Sequence, residues 1–155
     1  MLTVRSYRPA DQEAVVAIWW DSWHSIRPGL RHPHTFADWR TRWAGEIAPV
    51  QAIVVAEDDG AVVGFAAADV AARVLTQIFV ARCHKRQGIG RELLGWAQAL
   101  MPEGFRLHTL VDNLASRAFY DHHGLAEGDR HTNAINGMET IEYRWIPSGN
   151  GAPRA

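Results

Sequence analysis

The sequence predicts one α/β domain in which helices cover both faces of a mixed β-sheet. Short apolar runs separated by turns, between Ala52 and Val80, predict three consecutive strands. The last of them, Val74–Val80, leads through a glycine turn into an amphipathic helix, and a strand–helix–strand pattern follows. Strands that meander before a strand–turn–helix unit are typical of a mixed sheet with helices on both sides. A length of 155 residues suits a single domain of this kind.

The first third of the chain predicts one strand and two helices. Alternating apolar and polar residues predict a strand over 2–7. A helix with apolar residues on two sides follows, so it is either deeply buried or walls a pocket, and it is predicted to end at Pro28. Thr35 followed by Asp38 resembles a capping box and predicts a second helix that runs to about Ile47.

The remaining two thirds alternate between strands and helices, with one more strand expected near the end but no residues assigned to it. We expect strands over 52–56, 62–70, 74–80, 105–111 and 138–145, and helices over 89–101 and 115–122. The domain is predicted to span residues 1–146. Residues 147–155 are rich in glycine and proline and predict a flexible tail.

Composition excludes several classes of partner. The net charge of −1 implies neither nucleic acid nor an anionic membrane. The amino terminus has no uninterrupted apolar core, so a secretory signal is not expected. No apolar run approaches the ~20 residues that span a bilayer. The single cysteine, Cys83, cannot form an intrachain disulfide and fits a reducing cytoplasm.

The glycine turn before the long helix predicts a phosphate site. Gly88 and Gly90 carry no Cβ and let the backbone approach a ligand closely. The first amide groups of the helix lack partners and lie at the positive end of its dipole, which suits a phosphate. Lys85, Arg86 and Arg91 add positive charge around the same point.

Two other glycine-loop motifs fit less well. A dinucleotide-binding fingerprint needs a third glycine where Leu93 stands. Asp112, an acid about 20 residues after the turn, could still bind a ribose, so this reading stays open. A Walker loop is excluded because no Gly-Lys-Ser/Thr follows at the required spacing.

A second motif consists of Asn113, Ala118-Phe119-Tyr120 and Gly124-Leu125. Together with the strand that ends in Lys85-Arg86-Gln87-Gly88-Ile89-Gly90, it resembles the GNAT superfamily of N-acetyltransferases. Each motif alone is moderately specific, and the two in this order are strongly so. The resemblance covers about residues 2–146, but the first third agrees in pattern only.

The resemblance implies an acyl-CoA N-acyltransferase fold with splayed central strands and with acetyl-CoA as acyl donor, and no metal. Pantetheine would add like a short strand to Phe79 and Val80. The amide of Ile78 would polarise the thioester carbonyl. Backbone amides would hold the pyrophosphate, and these belong to Lys85, Arg86, Gln87, Gly88, Ile89, Gly90 and Arg91.

The resemblance also assigns roles to three side chains of the second motif. Asn113 would bind the pantetheine side, and Arg117 could reach the nucleotide phosphates. Tyr120 would be the general acid that protonates the departing thiolate. Because a phenol has a pKa of about 10 and a thiol about 8.5, the bound state must favour that transfer. The alternative for Tyr120 is a core tyrosine next to Phe119.

The general base stays open at this stage. Family members with a glutamate base on the central strand place it four residues before the polarising amide, where this chain has Val74. Asp69, His108 and Glu57 could each accept a proton through water. Direct attack by an amine that is already neutral is a further alternative.

Tryptophans and histidines supply the remaining candidates. Most of the tryptophans are expected to pack in the core. In related folds the first two helices cover the acceptor side, so Trp23 and Trp39 are the candidates for acceptor binding, with core packing as the alternative. His32 and His34 have no third ligand at a fixed spacing, so a metal site is not expected. Cys83 is adjacent to a histidine, but the thioester needs no covalent relay through it.

Three functions are compatible with these features. The first is an N-acetyltransferase that moves acetyl from acetyl-CoA to a primary amine by direct attack in a ternary complex. The second is a non-catalytic acyl-CoA-binding sensor or regulatory module on the same fold, and the third is an unrelated nucleotide-binding protein. The acceptor would be a small-molecule or peptide amine, with a slight preference for small or aromatic ones. By analogy, two copies of the chain could pair through their final strands.

Overall fold

The structure is a computed structural model that describes residues 1–148, so most of the tail expected at 147–155 lies outside the described residues. The strands are β1 (Leu2–Ser6), β2 (Ala52–Asp58), β3 (Ala61–Asp69), β4 (Val74–Val80), β5 (Phe105–Leu110), β6 (Ala126–Thr132) and β7 (Glu139–Trp145). The helices are α1 (Gln12–His24), α2 (Phe36–Arg42), α3 (Ile89–Leu100) and α4 (Leu114–His122). Among these elements, no helix is long and apolar enough to cross a membrane.

Helix boundaries agree with the sequence at most positions. The capping box of α2 is confirmed, because Asp38 N donates to Thr35 Oγ1 at 3.2 Å and Thr35 N donates to Asp38 Oδ2 at 2.7 Å. A π-helical turn, Trp43–Ile47, continues α2. Helix α1 ends at His24, before the predicted break at Pro28.

Strand β6 is the element to which the sequence assigned no residues. It lies at one edge of the sheet, next to β7, and nearly all of its residues are exposed. An edge strand that is open to solvent on both faces has no apolar alternation, which is the signal that predicts a strand.

The seven strands form one sheet in the order β1-β2-β3-β4-β5-β7-β6. All neighbours are antiparallel except β4 and β5, which run parallel. In the described residues these two strands are paired at Val74 and Arg106 and diverge beyond that point. The predicted mixed sheet with splayed central strands is therefore confirmed, and the opening lies at the carboxyl ends of β4 and β5.

Two hydrophobic cores hold the helices against the sheet. On one face α3 and α4, with Leu125 just after α4, form a core that includes Ile89, Leu93, Leu94, Ala97 and Tyr120. On the other face α1 and α2 with its π-helical turn bury Val15, Val16, Trp19, Trp39 and Trp43. The second core ends at β4, so the helices of that face stop where the splayed opening begins.

Candidate active site

The main chain of β4 presents unpaired groups to the opening. Ala81 N donates to Val63 O at 2.8 Å, which fixes one hydrogen-bonded pair between β4 and β3. Such pairs alternate along antiparallel strands, so Phe79 also bonds to β3. The amide and carbonyl groups of Ile78 and Val80 therefore point away from β3, towards the opening between β4 and β5.

This alternation bears on the expectation that pantetheine pairs with Phe79 and Val80, which stays a prediction. The main-chain groups of Phe79 pair with Phe65 inside the sheet, so the free groups that a strand-like ligand would meet belong to Ile78 and Val80. The side chain of Phe79 packs with the core under α1 and α2. Sequence reasoning could not assign these directions, because the parity of the ladder depends on the register with β3.

A β-bulge in β4 lies just before these free groups. The register passes from Ala67 opposite Gln77 to Ala68 opposite Leu75, which leaves Thr76 without a partner residue in the ladder. The Thr76 hydroxyl donates to Ala67 O at 3.0 Å. A bulge bends its strand and increases the local twist. It therefore favours the divergence of β4 from β5.

The glycine turn after β4 ends in a helix start with free amide groups. Arg86 and Gly88 have positive φ values of 64° and 80°. Glu92 N donates to Gly88 O at 3.1 Å, which is the first hydrogen bond of α3. The amides of Ile89 and Gly90 precede that bond and have no acceptor within the helix. The turn can bind an anion through these groups.

Polar side chains surround this turn. The side chains of Lys85, Arg86, Gln87 and Arg91 are exposed and lie close to it in the chain. His84 precedes them, and its Nδ1 atom is buried without a hydrogen-bond partner in residues 1–148. The sequence did not single out this nitrogen, because its burial depends on how the turn folds.

A cavity of about 230 Å³ occupies the opening between β4 and β5. Its wall is completed by α1, α2, α4 and the loop between β6 and β7. Several residues that the sequence singled out line it, namely Trp23, Trp39, Ile78, Phe79, His108, Asn113 and Tyr120. The fold thus brings together residues from four separate parts of the chain.

Tyr120 is buried in the wall of this cavity, with 5% of its surface exposed. Its ring centroid lies 5.3 Å from that of Tyr143 and 5.6 Å from that of Phe119. Burial raises the pKa of Tyr120 well above the usual value, and Tyr143 adds to the increase. Its hydroxyl has no hydrogen bond to the described residues. The phenol is therefore protonated at neutral pH and free to donate.

Of the three proton-acceptor candidates, it is His108 that lines the cavity. Its Nε2 lies 3.5 Å from Glu142 Oε2, and its ring centroid lies 4.9 Å from that of His131. Burial lowers the pKa of His108, His131 and Arg106 lower it further, and Glu142 opposes them. The imidazole is therefore neutral at neutral pH and can accept a proton.

The other two candidates lie elsewhere. Asp69, at the end of β3, accepts a hydrogen bond from Ala72 N at 3.1 Å. Glu57 is on β2 and accepts from Arg5 Nε at 2.7 Å. Neither carboxylate contributes to the cavity wall.

Asn113 and Arg117 are engaged within the fold. Asn113 caps α4, accepting from Ser116 N at 3.2 Å and donating to Thr109 Oγ1 at 3.3 Å. Arg117 forms an ion pair with Glu127 at 2.8 Å and donates to a backbone carbonyl. A phosphate role for Arg117 would require these contacts to change, and it stays a prediction, as does the pantetheine role of Asn113.

Aromatic rings form the cavity wall on the side of α1 and α2. Trp19 and Trp39 pack with their ring centroids 4.4 Å apart, and Trp23 meets Trp39 edge-on at 5.9 Å. Trp39 Nε1 donates to His32 Nδ1 at 3.4 Å. Burial is the main cause that lowers the pKa of His32. Both tryptophans that the sequence favoured, Trp23 and Trp39, therefore face the cavity as well as the core.

The loop between β6 and β7 completes the wall, and sequence reasoning missed it. Asn133, Ile135 and Asn136 contribute to the lining. The only sequence signal is an Asn- and Gly-rich turn before Met138. That signal predicts a turn but not its position over the cavity. No group of three His, Cys, Asp or Glu side chains suited to a metal occurs in residues 1–148.

Comparison with known families decides the classification. Residues 13–125 match the model of the acetyltransferase (GNAT) family. The chain belongs to the GNAT family. The nucleotide-binding alternative is thereby excluded, and Asp112, its proposed ribose ligand, forms an ion pair with Arg27 at 3.2 Å.

Solved structures of GNAT-like chains share the fold. Apo YjaB of Escherichia coli aligns with a TM-score of 0.74 and 20% identity over 96% of this chain and 99% of that chain. YncA of Salmonella typhimurium, solved with its cofactor acetyl-CoA, aligns with a TM-score of 0.68 and 16% identity over 99% of this chain and 98% of that chain. PaiA N-acetyltransferase of Thermoplasma acidophilum, in complex with coenzyme A, aligns with a TM-score of 0.71 and 18% identity over 94% of this chain and 99% of that chain. No curated protein matches this GNAT chain.

Proposed function

We propose that the protein is an N-acetyltransferase that moves an acetyl group from acetyl-CoA to a primary amine. The observation that carries this proposal is the free main-chain edge of β4 at Ile78, which opens onto the cavity that Tyr120 also lines. Membership of the GNAT family supports it, as do the acetyl-CoA and coenzyme A found in two structures of the same fold.

The donor would lie along β4 and end at the glycine turn. Pantetheine would pair with the free main-chain groups of Ile78 and Val80 as an added strand. The pyrophosphate would take the amides of the turn over 85–91, where helix α3 begins. Asn113 would face the pantetheine from the opposite side of the opening.

The transfer itself would be a direct attack within the ternary complex. The neutral amine nitrogen forms a bond to the thioester carbonyl carbon, and the Ile78 amide stabilises the oxyanion. The carbon–sulfur bond then breaks, and Tyr120 donates its proton to the thiolate. The proton that the amine loses would return to the phenolate through the proton acceptor and water, which restores the phenol. The bound state must offset the high pKa of the phenol, because its burial makes proton release harder. The products are the N-acetylated amine and free coenzyme A.

His108 is the proton acceptor that we propose for the amine. With Nε2–H directed at Glu142, its Nδ1 lone pair can take a proton directly or through water. It replaces the carboxylate that some family members carry four residues before the polarising amide, where this chain has Val74.

Two measurements on the full chain test the proposal. Acetyl-CoA at 100 times its Kd should stabilise the fold by about 2.7 kcal/mol, and a thermal shift would record it. Free thiol should then appear in proportion to added amine. Protection by acetyl-CoA with no thiol release across a broad amine panel would favour the sensor alternative. No protection would contradict acyl-CoA binding altogether.

A further inference from the structure

We infer that the amine acceptor carries an aromatic ring and no second positive charge. This inference rests on the proposed function and concerns the same cavity, at the wall built by α1, α2 and the β6–β7 loop. Three properties of that wall support it: its charge, its rings and its free polar groups.

The cavity wall contains a cation but no anion. Among the described residues, no Asp or Glu side chain lines it, and its one permanent charge is that of Arg42, which pairs with Glu46 at 3.3 Å outside the wall. His32 and His108 also line it, and burial holds the pKa of both below the usual range, so both are neutral at neutral pH. A second ammonium on the acceptor would lose its water and meet no counter-charge, which is strongly unfavourable.

The aromatic rings do not form a free cage for a cation. The Arg42 guanidinium lies 5.8 Å from the Trp19 ring centroid, so a cation of the protein already occupies that ring face. Trp23 and His32 both meet Trp39 edge-on, with ring centroids 5.9 Å and 5.0 Å away. A cluster of rings packed in this way can contact a further aromatic ring in an edge-to-face or offset arrangement. A planar apolar group on the acceptor would extend the cluster.

The free polar groups at the loop are donors. Asn133 Oδ1 accepts from Ile135 N at 2.8 Å, and Asn136 Oδ1 accepts from Met138 N at 2.9 Å. Asn133 Oδ1 also accepts from Asn136 N at 3.3 Å, so both of its acceptor sites are used within the loop, and one of those of Asn136 is used. The Nδ2 groups of both residues remain as donors. Amide donors are poor partners for an ammonium, which needs acceptors. This end of the cavity also disfavours a second positive charge.

Three amines separate the two parts of the inference. The pair n-butylamine and 1,4-diaminobutane differs in the second charge, and the pair 2-phenylethylamine and n-butylamine differs in the ring. We expect kcat/KM from thiol release to fall about tenfold or more for each step, from 2-phenylethylamine to n-butylamine to 1,4-diaminobutane. The inference would be overturned if kcat/KM for 1,4-diaminobutane equalled that for n-butylamine. It would also be overturned if kcat/KM for 2-phenylethylamine did not exceed that for n-butylamine.

Two substitutions with matched controls test the residues. Arg42→Gln should reduce the discrimination against 1,4-diaminobutane, whereas Arg40→Gln, on the same helix but outside the wall, should not. Trp39→Phe should reduce the preference for 2-phenylethylamine, whereas Trp96→Phe, which packs on the other face of the sheet, should not. Equal effects of target and control would contradict a role for the wall.

A binding measurement separates failure of the inference from failure of the proposed function. Tryptophan fluorescence of the complex with coenzyme A should change on titration with 2-phenylethylamine and much less with 1,4-diaminobutane. Turnover of amines in the reverse order would overturn only the acceptor class. If none of the three amines releases thiol but another amine of the broad panel does, only the acceptor class fails. If acetyl-CoA binds and no amine of the panel releases thiol, the proposed function fails as well.

Discussion

Gly90 lies directly against the ring of Phe119. A β carbon built on Gly90 would lie 3.2 Å from Cε2 of that ring and 3.9 Å from Cγ2 of Val80. The missing side chain therefore gives room for α4 to pack on the first turn of α3. Gly88 differs, because a β carbon there would meet nothing within 4 Å while its φ is +80°. Glycine is thus favoured at the two positions for different reasons: the packing of Phe119 at Gly90 and the positive φ angle at Gly88.

Gly90→Ala should act through packing. The added methyl group must displace the Phe119 ring, and Tyr120 is the next residue on α4. We expect a loss of about 1 kcal/mol in the free energy of unfolding and slower thiol release, with little change in the Kd for acetyl-CoA. Denaturant unfolding and a binding titration would measure both. Loss of binding with unchanged stability would show that Gly90 instead faces the ligand.

Gly88→Ala should act through the backbone. A residue with a Cβ at φ +80° is strained, which should cost about 1 kcal/mol or more and distort the amides that begin α3. We expect weaker acetyl-CoA binding in an isothermal titration. Gly95→Ala is the matched control, because Gly95 is exposed in α3 with open space around it and should gain about 0.5–1 kcal/mol of stability. Unchanged binding in Gly88→Ala would count against the pyrophosphate site.

Tyr120→Phe should separate chemistry from binding. The hydroxyl has no partner in the described residues, so its removal should barely change stability. We expect kcat to fall by about 10²- to 10⁴-fold while the Kd for acetyl-CoA stays nearly constant. Tyr143→Phe is the control, since its hydroxyl contacts Arg117 and Glu127 at 3.3 Å each. That variant should lose stability and keep most of its activity.

His108→Gln tests the proton acceptor through pH. Because burial lowers the pKa of His108, the base form is present above about pH 6.5 and is lost as the pH falls through the folded value. In the wild type kcat/KM should rise through the folded pKa of His108, in addition to the rise that follows deprotonation of the amine itself at about pH 10. The variant should be slower and should lack the rise through the pKa of His108. An unchanged profile would favour attack by an amine that is already neutral. His122→Gln, on an exposed residue of α4, serves as the control.

Asp11→Asn should reduce stability in a pH-dependent way. Arg5 donates to both carboxylate oxygens of Asp11 at 2.9 Å, and this contact lowers the pKa of Asp11. The lowered pKa means that the stabilisation is present above about pH 4 and is lost as the pH falls through the folded value. We expect the variant to lose about 2 kcal/mol at pH 7 and to converge with the wild type in acid.

The control for this ion pair is Glu13→Gln. Glu13 pairs with Arg40 at 2.8 Å, but 65% of its side chain is exposed. Such pairs contribute less than about 1 kcal/mol, so this variant should stay close to the wild type at every pH. Urea unfolding at several pH values would compare the three proteins. A pH-independent loss in Asp11→Asn would contradict the assignment to charge.

Most strands and helices could be predicted because their apolar residues recur with the period of the element. Val74–Val80 is an example in which sequence and structure agree at both ends. The edge strand β6 carries almost no buried residues, so this signal is absent there. Phe79 shows a second limit, since which main-chain groups of β4 are free depends on its pairing with β3.

The sequence by itself determined the class of the protein. The glycine turn and the motif from Asn113 to Leu125 are local, and each specifies its backbone through neighbouring residues. Only the tertiary structure decided which side chains share the cavity: it brings Trp39, His108 and Tyr120 to one wall and leaves Asp69 outside. The physical reason is that such contacts join residues far apart in the chain. They follow from strand order and from the divergence of β4 and β5, which no local pattern encodes.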